Sequence, residues 1–224
     1  MAYLTQEQHK IVTDAVGKAE LQTSGEIVTV LADRSDDYND VALLWAAAVA
    51  FTVMSIFAVF PAPFLGFWDA LIGGWSHEWT TGELASMTIA LGLIAFAVTW
   101  AVQLWEPLKF ALIPAPLKTS RVHAQAIKHF KVGAERRTHG RTGVLIYLSM
   151  REHRAEITAD DSIAELVDAE VWGEAMGDML AEIRQGHIAE GMAAGVRDVG
   201  FVLAQHFPRG ENDENELPDR LIEV

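Results

Sequence analysis

The sequence predicts an α/β domain that is interrupted, after its first strand, by a hairpin of two membrane-spanning helices. Three observations lead to this fold class. The segment EIVTVL at 26–31 has the β-branched, apolar composition of a buried strand. Two long apolar segments without a charge follow, at 41–60 and 84–105. The segment GVLIYLSM at 143–150 is again almost continuously apolar, as expected of a strand covered on both faces.

The composition separates an apolar part of the chain from charged parts. Half of the 224 residues are hydrophobic, yet the formal net charge is -14, because the apolar residues concentrate at 41–105. The acidic balance disfavours nucleic acid as a partner. The absence of cysteine excludes disulfides, thiolate metal sites and a cysteine nucleophile.

Residues 1–40 are predicted to hold an amphipathic helix and the first strand. Thr5 and Gln8 have the spacing of a capping box, and Gly25 lies beyond the end of the apolar periodicity. The polar start does not show the basic and then apolar pattern of a signal peptide, so none is expected. The first folded element is therefore expected to precede the membrane segments.

Residues 41–105 are predicted to form the membrane hairpin. Each of its two apolar segments has about the 20 residues that cross a hydrocarbon core roughly 30 Å thick. Pro61 and Pro63 are expected to end the first span. Buried core helices are the alternative, but uncharged segments of this length favour spans.

Tryptophans concentrate in the same region. Six of the seven lie in or beside the spans, several of them near the expected membrane interfaces, where an amphipathic ring is favoured. The connector 63–84 carries apolar residues at helical spacing, which predicts an interfacial helix, with a ligand lid or partner surface as the alternative. The residues predicted at the membrane interface are Trp45, Trp68, Trp75, Trp79, Trp100 and Trp105.

The distribution of basic residues predicts the orientation. The connector 63–84 contains neither lysine nor arginine, whereas several cations flank the other ends of the spans. By the positive-inside rule, both termini are expected in the cytoplasm and the connector outside. The soluble parts before and after the hairpin then lie on one side and can build one domain. The flanking cations are Arg34, Lys109, Lys118 and Arg121.

Residues 106–208 are predicted to complete that domain. A helix capped by Thr119 or Ser120 precedes the strand at 143–150, and an alternating segment at hairpin spacing follows it. Two further amphipathic helices end the domain. The strand at 26–31 is expected to pair with the strand at 143–150, across the whole hairpin.

Residues 209–224 are predicted to be an acidic, flexible tail. Its composition is strongly charged, with few residues that could join a core. Leu217, Leu221 and Ile222 leave open that the tail acts as a docking peptide.

Two acidic turns are the candidate cation site. Asp33 and Asp36 follow the first strand, and Asp160 and Asp161 follow the third. Ligands collect beyond the carboxyl ends of strands in α/β sheets, so these turns are candidates to bind Ca²⁺ or Mg²⁺. A metal-bound water can hydrolyse a phosphomonoester. Helix capping is the alternative, since the spacing matches no known metal motif.

Arg136, Arg137 and Arg141 form a basic cluster. The three side chains can hold a phosphate group. The alternative is a patch near the inner membrane face that attracts acidic lipid headgroups. The sequence contains no H-E-x-x-H motif, no glycine-rich phosphate loop and no G-x-S-x-G motif, so no catalytic residue is assigned.

Three stretches of the sequence resemble the TPM domain family. They are SGEIVTVL, the segment RTHGRTGVLIYLSMREHRAEITAD, and IRQGHIAEGMAAGVRDVGFVLAQHFP. The chain is similar in particular to the membrane-embedded bacterial branch, in which a transmembrane hairpin interrupts the domain after its first strand. The resemblance is carried by Gly25, Glu26, Gly143, Val144, Leu145, Ile146, Arg154, Ile157, Arg184, Gln185, Gly186 and Gly191.

The resemblance implies an α/β/α sandwich, interrupted here by the hairpin. Family members have been described as acid-phosphatase-like, as metal-binding, and as assembly or repair factors for membrane complexes such as photosystem II. Two functions are therefore expected: a non-enzymatic accessory, assembly or stabilising subunit of a membrane complex, or a metal-dependent phosphatase. The expected partners are the lipid bilayer and another integral membrane protein. The expected location is the bacterial inner membrane, with two spans and both termini cytoplasmic.

Overall fold

The chain divides into two compact units, each described here by itself. An α/β unit comprises Met1–Asp36 and Ala115–Val224, and a helical unit comprises Asp37–Pro114. The boundaries expected from the sequence are 40/41 and 105/106. The structure, a computed structural model, describes residues 3–72, 78–133, 142–210 and 219–224.

Helices make up most of the described chain. The first begins where the sequence predicts, because the Thr5 hydroxyl accepts from the Gln8 backbone and the Gln8 side chain accepts from the Thr5 backbone. In chain order the helices are α1 (Gln6–Glu20), α2 (Asn39–Val59), α3 (Pro61–Ile72), α4 (Thr81–Val102), α5 (Glu106–Leu112), α6 (Ala115–Gly133), α7 (Asp161–Ala164), α8 (Ala169–Arg184) and α9 (Ile188–His206).

The α/β unit is built on a mixed sheet. The strands are β1 (Glu26–Ala32), β2 (Gly143–Ser149), β3 (Arg154–Ala159) and β4 (Ile222–Glu223). Their order across the sheet is β3-β2-β1-β4. Strand β1 is parallel to both of its neighbours, and β3 is antiparallel to β2. The mixed α/β fold class is therefore confirmed.

Strands β1 and β2 form the buried centre of the sheet. All seven residues of each strand are buried, which explains their almost continuously apolar sequences. The register places Glu26 opposite Gly143 and Ala32 opposite Ser149. The predicted pairing of these two strands across the intervening hairpin sequence is confirmed.

Helices cover both faces of this sheet. Alternate residues of β1 and β2 point to opposite faces, so each strand contributes to two hydrophobic cores. On one face, Ile27 and Ile146 pack with residues of α1, α8 and α9, including Val16, Met179 and Val196. The other face carries α6, and its core contains Val28, Val30, Leu145, Tyr147, Val122, Ala126 and Phe130.

The helical unit contains two long antiparallel helices, α2 and α4. The side chain of Gln103, after α4, donates a hydrogen bond to the carbonyl oxygen of Ala42 at the start of α2, at 3.1 Å. Farther along, a Cβ atom on Gly92 would lie 2.5 Å from the sulfur of Met54, so the backbone of α4 approaches α2 closely there. Both helices are long and apolar enough to cross a membrane.

One predicted boundary is wrong. Helix α6 starts at Ala115 and not at Thr119 or Ser120, because Pro116 is accommodated in the first turn, where a missing N–H costs no hydrogen bond. The structure also contains a helix that the sequence did not predict, α5, which again has a proline in its first turn.

The prediction of a flexible tail at 209–224 is wrong for its last residues. Ile222 and Glu223 form strand β4 beside β1, and Leu221 is buried. The strongly acidic composition concealed a short apolar segment that a sheet edge can accept. Leu217 lies outside the described residues.

Candidate functional site

The two acidic turns lie at opposite ends of the sheet. Asp33 follows the carboxyl end of β1. Asp160 follows β3, which runs in the opposite direction to β1 and β2, and its carboxylate accepts from the Gly143 backbone at the amino end of β2, at 2.9 Å. The length of a seven-residue strand, roughly 20 Å at about 3.3 Å per residue, separates the two ends.

The four aspartates grouped by the sequence analysis therefore do not converge. The grouping assumed that all strands end at one edge, whereas the antiparallel direction of β3 sends Asp160 and Asp161 to the other. Asp160 instead precedes α7, in the N-cap position, and Asp161 is the first, exposed residue of that short helix. The Asp160 side chain makes no capping hydrogen bond to α7, so the capping alternative matches its position in the chain only.

Asp33 and Asp36 each contact an arginine. The guanidinium of Arg151 lies 3.1 Å from the Asp33 carboxylate, and that of Arg121 lies 2.8 Å from the Asp36 carboxylate. The Tyr3 hydroxyl also donates to Asp33. This hydrogen bond, with a further contribution from Arg151, holds the pKa of Asp33 below its ordinary value. Both carboxylates of the first turn are therefore oriented by an arginine of the same unit.

A buried polar network lies beside this turn, at the carboxyl ends of β1 and β2. Glu152 is 2% exposed and is its centre. One carboxylate oxygen accepts from the Ser35 backbone at 2.9 Å, and the other accepts from the Ser149 hydroxyl at 2.5 Å. The Ser35 hydroxyl lies 3.0 Å from those of both Ser149 and Tyr147. The network thereby fixes the backbone that leaves β1.

The aromatic member of the network has a shifted pKa. Burial raises the pKa of the Tyr147 hydroxyl above its ordinary value. Its ring stacks on the ring of His129, with 5.7 Å between centroids. Burial, followed by the charge of Lys128, lowers the pKa of His129, so this imidazole tends to stay neutral against the ring.

The hydroxyl groups of the arrangement serve to orient a turn. Ser149 and Tyr147 are completely buried, and the hydroxyl groups of the network bond to one another and to Glu152. Within the described ranges, no group of three or more His, Asp or Glu side chains is placed to hold a metal ion. The chemistry that these side chains support is hydrogen bonding that locks the start of the 33–36 turn.

Sequence reasoning missed the residues of β2 and its turn that form this network. Arg151, Glu152, Ser149 and Tyr147 look like ordinary strand and hairpin residues when read along the chain. The missing signal is the parallel register, which puts Ala32 opposite Ser149. Continuing that register would have placed the turn after β2 next to the turn after β1.

An apolar cavity of about 660 Å³ lies near the carboxyl end of β2. Its walls include the cationic side chains Arg154 and Arg184, together with His153. The remaining wall is mainly apolar and comes from β2, α8 and the start of α9. The principal apolar lining residues are Leu148, Met150, Met176, Leu180, Ile183 and Ile188.

The predicted interface tryptophans that the structure describes lie on or beside the helices of the helical unit. The Trp45 ring donates a hydrogen bond to the Leu112 carbonyl oxygen at 3.3 Å, and Trp68 and Trp105 are exposed. Trp79 and Trp100 are partly exposed. Trp75 lies outside the described residues, as do Arg136, Arg137 and Arg141 of the predicted phosphate or lipid cluster.

Comparisons with known proteins agree with the mixed α/β fold. The family model of the TPM domain matches residues 118–201, from α6 into α9. Among solved structures, the fold is similar to the NMR structure of the BA42 protein from the psychrophilic bacterium Bizionia argentinensis. That match has a TM-score of 0.57 and 19% sequence identity, and covers 100% of this chain and 97% of that chain. No curated protein matches the sequence.

Proposed function

We propose that this chain is an integral membrane protein whose α/β unit acts as a non-enzymatic accessory, assembly or stabilising subunit of a membrane protein complex. The exposure of α4 carries the proposal. This helix carries no charge after Glu83 in its first turn, yet Gly92 is its one buried residue, and Leu93 and Ile94 are 66% and 60% exposed. A helix that is apolar and uncovered on this scale suits lipid and not water.

The polar groups of the two long helices also suit a bilayer. The hydroxyls of Thr52, Ser86 and Thr88 donate to carbonyl oxygens one turn earlier in their own helices, at 2.7 to 2.8 Å. Gln103 is 4% exposed and bonded to Ala42. Hydrocarbon offers no hydrogen bonds, so internal satisfaction of this kind is required there.

Small residues support close packing of the helix pair. The buried positions of α2 include Ala42, Ala46 and Ala50, which recur every four residues. Such a stripe lets helix backbones approach in membranes, where burial of large side chains gives no advantage over lipid. Gly92 supplies the same feature on α4.

The α/β unit supports an accessory role more than a hydrolytic one. Its candidate acidic ligands are split between two ends of the sheet, and those of the first turn contact Arg121 and Arg151. Glu152, Ser149 and Tyr147 of the polar network are buried, and their hydrogen bonds orient the 33–36 turn. A TPM-type domain joined to a membrane hairpin is suited to bind and stabilise another integral membrane protein, with its termini in the cytoplasm of a bacterium.

The absence of native cysteine makes the proposed topology directly testable. Leu21→Cys places a thiol on an exposed position of the α/β unit, and Glu78→Cys places one on the exposed connector. In intact spheroplasts, a membrane-impermeant maleimide should label Glu78→Cys at once and Leu21→Cys only after lysis. The reverse pattern overturns the orientation, and release of the chain by alkaline carbonate overturns membrane insertion.

The accessory role is tested by purification from native membranes. Gentle extraction followed by mass spectrometry should recover a stoichiometric integral membrane partner. A chain that is recovered alone and hydrolyses phosphomonoesters would contradict the role. Asp160→Ala, compared with Asp161→Ala on the exposed neighbouring residue, would then show whether the predicted acidic turn carries that activity.

A further inference from the structure

The outer edge of β1 is covered by a short segment of the same chain, residues 219–224. Ile222 pairs with Val30 and Glu223 with Leu31 in a parallel ladder. The Val224 backbone N–H donates to the Leu31 carbonyl at 3.0 Å, and the Asp33 N–H donates to the Val224 carbonyl at 2.9 Å. The segment therefore uses main-chain groups that β1 would otherwise present at an open edge.

Apolar and acidic side chains of the segment are held in separate places. Leu221 is 5% exposed and packs in a cluster that contains Leu4, Val12 and Leu31. Ile222, the next residue, turns to the other face and packs against the core that includes Val30. This alternation accepts a branched apolar side chain on each face of the sheet edge.

The carboxylate of Glu223 is bound by three nitrogen atoms. The backbone N–H groups of Tyr3 and Leu4 each donate to it at 3.2 Å. The ring nitrogen Nε2 of His9 lies 2.9 Å from it. These donors precede or belong to α1. The site therefore recognises the carboxylate of Glu223 by charge-assisted hydrogen bonds.

Other contacts hold the walls of this site. Strand β1 pairs along all seven residues with β2 on its inner side, and α1 is started by its own capping box. The segment adds the two-residue strand β4, the two main-chain hydrogen bonds of Val224 and the side-chain contacts of Leu221, Ile222 and Glu223. The ladder from β1 to β2 is seven residues long and the ladder to β4 is two, so we expect β1 and its outer edge to stay formed when the segment leaves.

From this asymmetry we propose that the outer edge of β1 is a docking site for an extended peptide of a partner protein. The peptide carries the pattern Leu-aliphatic-acid-aliphatic, and residues 219–224 occupy the site when that partner is absent. The partner strand adds in parallel to β1, places its leucine beside Leu4 and Val12, and places its acid on His9 and the two amides. This is strand addition with side-chain selection. It does not depend on the accessory role or on membrane insertion.

A fluorescent peptide of the sequence Asp-Arg-Leu-Ile-Glu-Val tests the proposal on the full-length chain in detergent micelles. Leu221→Asp places a charge in the apolar cluster and should release the resident segment. That variant should bind the peptide at least ~10-fold more tightly than the wild-type chain, whose own segment competes at high effective concentration. Leu166→Asp, at a position 58% exposed, is the matched control and should behave as wild type.

Peptides with single substitutions measure the selectivity of the docking site. Replacing the peptide leucine by aspartate should abolish binding to the Leu221→Asp chain. Replacing its glutamate by glutamine should weaken binding ~10-fold, the effect of a lost charge-assisted hydrogen bond. His9→Ala added to the Leu221→Asp chain should remove most of the difference between the two peptides.

A second variant keeps the test informative if Leu221→Asp fails to fold. Glu223→Lys opposes His9 and the two amides but keeps Leu221, so it should also open the site. The proposal is overturned if either variant is folded by circular dichroism and binds no peptide. Equal binding by wild-type and variant chains would also contradict it. Loss of folding in both variants overturns it too, because the segment would then be an integral part of the sheet.

Discussion

Gln103 donates a hydrogen bond from its side-chain amide to the backbone carbonyl oxygen of Ala42, at 3.1 Å, and so joins α4 to the start of α2. The same amide nitrogen lies 3.1 Å from the Thr99 carbonyl oxygen. In the apolar sequence of the second predicted span, this buried side chain is thus satisfied by both helices.

Gln103→Leu should loosen the helix pair. The substitution keeps the side-chain volume similar and removes the donor, so we expect a loss of about 0.6–2 kcal/mol, the range for interhelical hydrogen bonds in membranes. Unfolding by SDS in mixed micelles, followed by tryptophan fluorescence, measures the loss. Val102→Leu, at the exposed neighbouring position, should leave the transition unchanged. Equal transitions for the two variants would contradict a role for this hydrogen bond.

Glu152→Ala should destabilise the α/β unit. It leaves the Ser35 N–H and the Ser149 hydroxyl without their carboxylate acceptor in a buried place. Hydrogen bonds to a charged group contribute about 1.5–3 kcal/mol, and we expect a loss of at least that size in the free energy of unfolding. Urea unfolding of the full chain in micelles measures it. Glu165→Ala, on an exposed carboxylate, is the control and should change the midpoint little.

The stability of the α/β unit should fall as pH rises, because of Glu20. Burial, with Glu26 and Asp219 as further causes, raises the pKa of Glu20 from 4.5 to about 8. Between these values the folded state binds a proton that the unfolded state has released. The free energy of unfolding therefore decreases with pH in this window, by up to about 1.4 kcal/mol per pH unit.

Glu20→Gln tests this linkage. The glutamine oxygen can still accept from the Ile27 N–H, which lies 2.9 Å from the native carboxylate, but the side chain does not ionise. We expect the pH slope between about 4.5 and 8 to flatten. The variant should be more stable than wild type near pH 8. Thermal unfolding over pH 4 to 9 checks this, with Glu165→Gln as the control. A slope unchanged by Glu20→Gln would assign the pH dependence to another group.

Two glycines of the last helices should respond oppositely to alanine. A Cβ on Gly191 would lie 2.7 Å from the Met179 carbonyl oxygen and from an Ile183 side-chain atom, where α9 meets α8. Gly191→Ala should therefore cost about 1–3 kcal/mol by overpacking. Gly177→Ala enters open space inside α8 and should stabilise by about 0.5–1 kcal/mol. Thermal unfolding of the two variants side by side measures both effects. Loss of stability in both would indicate that close packing is not what separates them.

Local patterns in the sequence were sufficient for most of the helices and for the two central strands. The capping box at Thr5 and the uncharged apolar segments depend on residues within a few turns of each other, so they are visible along the chain. The continuous apolar character of β1 and β2 also reports burial on both faces without any knowledge of neighbours. These features determined the mixed α/β fold and the two long apolar helices by themselves.

Only the tertiary structure decided the burial of Glu152 and the position of residues 219–224. Each depends on which strands become neighbours, and strand pairing joins residues that are distant in sequence. The parallel register of β1 and β2 brought Ser149 to Ser35. An acidic segment became a strand because β1 had an open edge, a property that no residue within 219–224 reveals.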